Sequence, residues 1–158
     1  MDFTLVRYYL DTSALGKRYV TEVGSAWVRA VTAPTAGNAL ITARITMAEM
    51  YSVLARRRRE GSVPSEACQV AAEAFSLHCS AEYKFIELEL GIIAGARELL
   101  DRYPLRAYDA VQLASALAAN QALVDRELEP LIFVSADDRL LNVAATAALA
   151  TDDPRLHS

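Results

Sequence analysis

Leu5-Val-Arg-Tyr-Tyr-Leu-Asp-Thr-Ser-Ala-Leu-Gly-Lys-Arg-Tyr-Val20 is the stretch on which the fold turns. It opens on a short apolar run, Leu5 to Leu10, that an acid, Asp11, brings to a stop. Runs of this kind suit a strand buried on both faces of a parallel sheet. Helical spacing takes over at once, over Ser13 to Val20. A strand that hands directly to a helix through an acid is the opening unit of an α/β domain.

The same alternation continues outward from this unit. A helix is expected over Ser25 to Val31, a short strand over Ala39 to Thr42, and a helix over Thr46 to Glu60 that Gly61-Ser-Val-Pro64 breaks. Ser65 to Ser80 reads as an alanine-rich helix, Tyr83 to Leu88 as a third strand, and Glu89 to Arg102 as a helix ended by Tyr103-Pro104. Arg106 to Ala122 reads as a long helix, Leu131 to Ser135 as a fourth strand, Asp138 to Ala145 as a helix, and Leu149 to Thr151 as a weak last strand. Strands separated by helices imply a mostly parallel sheet covered on both faces. With no repeat, low-complexity tract or linker in 158 residues, one domain spanning 1–158 is expected, with its core over about 5–151.

Composition narrows the function. A hydrophobic fraction of 53% with 23% charged residues fits a packed globular chain rather than a disordered one. No window reaches the roughly 18 apolar residues that cross a bilayer, and the N-terminal stretch lacks the pattern of a signal peptide, so no membrane and a cytoplasmic location are expected. Cys68 and Cys79 stand eleven apart in one expected helix, neither a zinc spacing nor a disulfide framework. With His78 and His157 the only histidines, zinc is nearly excluded, and any metal ligands would be oxygens.

Four acids draw attention by position. Asp11 and Asp137 each follow an apolar strand-like run, Glu49 is expected in the first turn of the helix after the second strand, and Asp109 opens the long helix. In an open parallel sheet, the carboxyl ends of the strands meet at the crevice where ligands bind. Each acid also has a plain structural use. Asp11 suits the start of the next helix. Glu49 completes a Thr46-Met-Ala-Glu49 capping box. Asp109 is one turn from Arg106. In Ser135-Ala-Asp-Asp138 the box assigns the capping role to Asp138, which leaves Asp137 without one. As a group the acids ask for more, because crowded carboxylates repel one another and a divalent cation relieves that repulsion. Hard oxygen ligands suit Mg²⁺ or Mn²⁺.

Tyr9-Leu-Asp-Thr-Ser-Ala-Leu-Gly-Lys-Arg-Tyr-Val20, Ile45-Thr-Met-Ala-Glu49, Leu105-Arg-Ala-Tyr-Asp-Ala-Val-Gln-Leu-Ala-Ser-Ala-Leu117 and Phe133-Val-Ser-Ala-Asp-Asp-Arg-Leu140 occur in the order found in one family. On these stretches the chain resembles the PIN domains, in particular the VapC-like toxins of toxin–antitoxin pairs. The resemblance implies a three-layer α/β/α fold with a mostly parallel five-stranded sheet. It implies a Mg²⁺-dependent endoribonuclease (Mn²⁺ also admissible) that acts on structured RNA, is inhibited by a cognate antitoxin and is usually a homodimer. It assigns Asp11, Glu49, Asp109 and Asp137 as the catalytic, metal-holding set, with Ser13 and Ser135 supporting them through their hydroxyls. Gln112 departs from the pattern where relatives often carry histidine, and the last strand lacks the usual glycine-containing lead-in.

The formal charge of −4 argues against a nucleic-acid partner only until four acids are set aside for a metal, which leaves the remainder neutral. Arg56 to Arg59 are four consecutive arginines suited to phosphates, to the carbonyl end of their helix, or to an acidic antitoxin segment. Lys17 and Arg18 are further candidates for a phosphate. Two other enzyme classes fit poorly: a haloacid-dehalogenase-like phosphatase wants an aspartate where Ser13 stands, and a response-regulator receiver wants paired acids near the first strand. A catalytically silent module that keeps the fold to bind RNA or protein remains the alternative.

Overall fold

The computed structural model describes residues 5–157; residues 1–4 and 158 of the expected domain span lie outside them. The elements run β1 (Arg7–Leu10), α1 (Thr12–Tyr19), α2 (Ser25–Thr32), β2 (Ala39–Ala43), α3 (Ile45–Glu60), α4 (Ser65–Ala81), β3 (Tyr83–Ile86), α5 (Leu90–Arg102), α6 (Ala107–Asp125), β4 (Ile132–Val134), α7 (Asp138–Thr146) and β5 (Ala150–Asp152). Short 3₁₀ turns at Pro34–Ala36 and Pro154–Leu156, which the sequence reading did not anticipate, complete the order.

The five strands form one sheet in the order β3-β2-β1-β4-β5, and every pairing is parallel. The weak last strand is real, pairing Ala150 with Ile132 and Asp152 with Val134. Alternation along each strand divides the core in two. Tyr9, Ile41 and Phe133 face one side, under α5, α6 and α7. Leu10, Leu40 and Val134 face the other, under helices that contribute Leu15, Met50 and Phe75. This is a three-layer α/β/α sandwich, as expected. Tyr9 stacks on Phe133 with centroids 5.6 Å apart, a contact worth about 1 kcal/mol beyond the area buried.

Small residues set the depth of one layer. Ala110, Ala114, Ala116 and Ala119 of α6 are buried, and a Cβ added at Gly95 of α5 would meet the Ala114 methyl at 3.4 Å. Gly61 ends α3 in the left-handed conformation (φ +74°), where its amide closes onto the carbonyls of Arg57 and Arg58. Gly24, before α2, is the tighter case. Its φ is +92°, and a Cβ there would stand 2.6 Å from the Pro154 carbonyl oxygen. No helix among the described residues is long and apolar enough to cross a membrane.

A candidate carboxylate centre at the head of the sheet

β1 lies between β2 and β4, so the connections from β1 and β4 part on opposite sides and open a crevice at their carboxyl ends. Asp11 stands at that point. Its amide still donates to the Val134 carbonyl of β4, and its side chain caps α1. Oδ1 accepts from the Ala14 amide (2.9 Å) and from Ser13 Oγ (2.7 Å), while Oδ2 accepts from Ser135 Oγ (2.6 Å). The capping use is therefore met, and two hydroxyls hold the acid as well. Only 4% of Asp11 is exposed. Burial pushes its carboxyl up to about 6, against the three hydrogen bonds and with added repulsion from Asp109.

Glu49 departs from its expected capping role. Helix α3 begins a residue early, at Ile45, with Arg44 in the capping position and no side-chain cap; Glu49 consequently falls beyond the first turn. The Thr46 hydroxyl is engaged with Thr42 and Gln112, both at 2.8 Å. Glu49 Oε1 accepts instead from Gln112 Nε2 at 2.9 Å. Burial raises the Glu49 carboxyl, hydrogen bonds from Gln112 and Thr12 oppose this, and Asp109 adds to the rise.

Asp109 stands in the first turn of α6. Among the described residues its side chain makes no hydrogen bond or ion pair, so the pairing with Arg106 is not formed. Burial raises its carboxyl first and Asp137 second, while Arg106 and Arg139 pull it down. Asp137 carries the cap that the sequence reading gave to its neighbour, accepting from the Leu140 amide at 3.0 Å. Asp138 pairs with Arg155 at 2.6 Å instead. The Ser135 hydroxyl cannot complete a box, because it donates to Asp11 and accepts from the Asp137 amide.

Asp11, Glu49, Asp109 and Asp137 all line one cleft of about 1060 Å³. They share its walls rather than a single point: among the described residues, no three His, Cys, Asp or Glu side chains form a group close enough to hold an ion as they stand. Arg56, Arg57, Arg106 and Arg139 line the same space. Arg57 is partly committed, to Glu22 at 2.9 Å. Lys17 and Arg18, the further phosphate candidates, are engaged with protein partners and are not among the residues that line the cleft. Lys17 is buried against Glu22 (3.0 Å), and Arg18 binds Glu82 and the Tyr83 hydroxyl.

Sequence reasoning left several residues of the cleft unremarked, Arg139 and Glu22 among them. Gln112 appeared only as a departure from a pattern, yet it is buried and bonds to Glu49. Tyr108 stood only inside a quoted stretch, yet it is exposed and lines the cleft.

Comparison with known proteins agrees with this architecture. The family profile described as the PIN domain matches residues 8–146. Among solved structures, FitAcB from Neisseria gonorrhoeae is similar with a TM-score of 0.64 and 15% identity, over 96% of this chain and 99% of that one. VapC20 from Mycobacterium tuberculosis, described as a sarcin–ricin-loop-cleaving toxin, gives 0.60 and 15% over 90% and 96%. A toxin–antitoxin complex from Klebsiella pneumoniae gives 0.57 and 16% over 93% and 97%. No curated protein sequence matches.

Proposed function

The chain belongs to the PIN domain family, and from that premise we propose that it is a metal-dependent endoribonuclease, the toxin of a toxin–antitoxin pair. One observation carries the reading: four acids from four parts of the chain line one cleft, and the side chain of one of them, Asp109, has no hydrogen-bond or ion-pair partner among the described residues.

The donor set fits a hard dication. Asp11, Glu49, Asp109 and Asp137 offer carboxylate oxygens only; beyond the effect of burial, Asp109 raises the carboxyls of Asp11 and Glu49 and Asp137 raises that of Asp109, a repulsion a cation removes. Mg²⁺, or Mn²⁺, suits such ligands and keeps several waters. Bound there, it would supply an activated water and neutralise charge on the phosphodiester. The chain's own part is positioning. Ser13 and Ser135 fix both oxygens of Asp11, and Gln112 fixes Glu49. Arg56, Arg106 and Arg139 offer guanidinium groups to RNA phosphates along the cleft.

The similar structures include a toxin–antitoxin complex, and a cognate antitoxin, a homodimer and a cytoplasmic setting belong to the same proposal. The alternative, a silent binding module, draws on the spread of the acids along the cleft walls. Saturable Mn²⁺ binding would reject it.

The test replaces Asp11 or Asp109 by Asn and follows Mg²⁺-supported cleavage of total RNA. Each change is expected to lower the rate by roughly a hundredfold or more, the range for removing a group that stabilises transition-state charge. Undiminished cutting by both variants would refute the assignment.

A further inference from the structure

Between Glu49 and the carbonyl of Leu10 runs a largely buried chain of hydrogen bonds whose direction is fixed at both ends. A Glu49 carboxylate can only accept, so the Gln112 amide must turn its NH₂ toward it. The two protons of Nε2 go to the nearer acceptors, Thr46 Oγ1 (2.8 Å) and Glu49 Oε1 (2.9 Å), ahead of Thr12 Oγ1 (3.3 Å). Gln112 Oε1 then faces Tyr9, whose hydroxyl must donate to it at 2.8 Å.

The direction carries on through the threonines. Thr46 Oγ1 receives a proton from Gln112, so its own goes to Thr42 Oγ1 at 2.8 Å. Thr42 in turn donates to the Leu10 carbonyl at 2.7 Å. A carbonyl can only accept, so the far end of the chain imposes the same direction as the near end. Tyr9, Thr42 and Thr46 are at most 1% exposed and Gln112 is 2% exposed, so water does not compete. Leu10 is the residue before Asp11. The chain thus ties the Glu49 carboxylate, on α3, to the end of the strand that presents Asp11.

We propose that this one-way relay sets Glu49 against Asp11, and that Gln112 is the positioning residue that makes it possible. The inference rests on the reading of these acids as a metal-holding set. Glutamine is suited to the place because it gives two protons and accepts a third from one planar group. A neutral imidazole gives one and accepts one. Where Gln112 stands, an imidazole would leave Thr46 or Tyr9 unserved.

The experiment measures Mn²⁺ affinity of the full chain by EPR titration without RNA, together with thermal melting. Gln112→Met keeps the volume and removes the hydrogen bonds. It is expected to weaken Mn²⁺ binding by about 10–100-fold, as loss of an outer-shell partner does. Thr46→Val is expected to act in the same direction, and Thr46→Ser, which keeps the hydroxyl, to restore most of the affinity. If Gln112→Met does not fold, the Thr46 pair decides. Folded Gln112→Met with wild-type affinity overturns the relay, as does equal loss in Thr46→Val and Thr46→Ser. Wild-type protein that binds no Mn²⁺ overturns the functional reading and this inference together; wild-type binding matched by Gln112→Met overturns the relay alone.

Discussion

Ser135 Oγ, one residue beyond β4, donates to Asp11 Oδ2, one residue beyond β1, across 2.6 Å. The ends of two adjacent strands are thereby joined at an acid that lines the cleft. The same oxygen accepts from the Asp137 amide at 3.1 Å, so one hydroxyl organises two of the four carboxylates.

Removing that hydroxyl tests how far Asp11 depends on it. In Ser135→Ala the buried carboxylate keeps its bonds from Ser13 and Ala14 but loses what is, among the described residues, its only donor at Oδ2. A hydrogen bond to a charged group contributes about 1.5–3 kcal/mol, so the carboxyl rises by about one pH unit or more. The acid limb of the pH–rate profile should move upward accordingly. A profile that overlays the wild type would show that Asp11 is held without Ser135.

Stability should depend on pH in a direction opposite to ordinary acid denaturation. The folded-state carboxyl of Asp11 is raised to about 6, above its unfolded value near 3.9. Its contribution is therefore complete below about pH 4 and is lost as pH climbs through about 6, a change of about 3 kcal/mol at most. Glu49 and Asp109 are shifted in the same direction. His78, lowered by burial and Arg18, opposes them by losing stability as pH falls. Metal-free protein should melt higher at pH 5 than at pH 7.5, and Asp11→Asn should shrink the difference. Saturating Mg²⁺ should raise the pH 7.5 melting point, since the cation favours the ionised acids. Identical pH dependence in wild type and Asp11→Asn would contradict the buried-carboxyl account.

The arginines of the cleft divide by commitment. Arg56 is exposed, with only a loose contact to Glu60 at 4.0 Å, whereas Arg57 is bound to Glu22 at 2.9 Å. Arg106 is also exposed, and Arg139 reaches the Pro104 carbonyl at 3.4 Å. In an Asp11→Asn background that does not cut, Arg56→Ala, Arg106→Ala and Arg139→Ala should each weaken binding to a single-stranded RNA. Each should also flatten the slope of log affinity against log salt by about 0.7. Arg57→Ala should change it less. Equal slopes across the set would place the RNA elsewhere.

Gly24 tests the seam between α2 and the C-terminal turn. A side chain there is strained at φ +92° and meets the Pro154 carbonyl at 2.6 Å. Gly24→Ala should cost about 2 kcal/mol or more, read as a lower urea midpoint at unchanged slope. A shift within about 0.5 kcal/mol, the range of neutral surface changes, would mean that the turn moves aside freely.

What the sequence alone determined about this protein are the features written into neighbouring residues. Leu5 to Leu10 and Leu131 to Ser135 are apolar runs too short for helices, so they signalled buried strands. Gly61-Ser-Val-Pro64 and Tyr103-Pro104 interrupt the helical pattern in place. The acids that follow the strands marked the carboxyl edge of the sheet. From these followed the alternating elements, the covered parallel sheet and the candidate acids.

Only the tertiary structure decided what those side chains hold. The cap on α7 went to Asp137 because Ser135 is drawn across to Asp11, 124 positions away. Lys17 is engaged by Glu22, and Glu49 found Gln112, 63 positions on, in place of the Thr46 amide. The physical reason is common to all three. A capping box or a helical ion pair is a weak local option for a polar group, and burial beside a stronger or unsatisfied partner outweighs it. Such partners come together only when the sheet brings distant strand ends within hydrogen-bond reach.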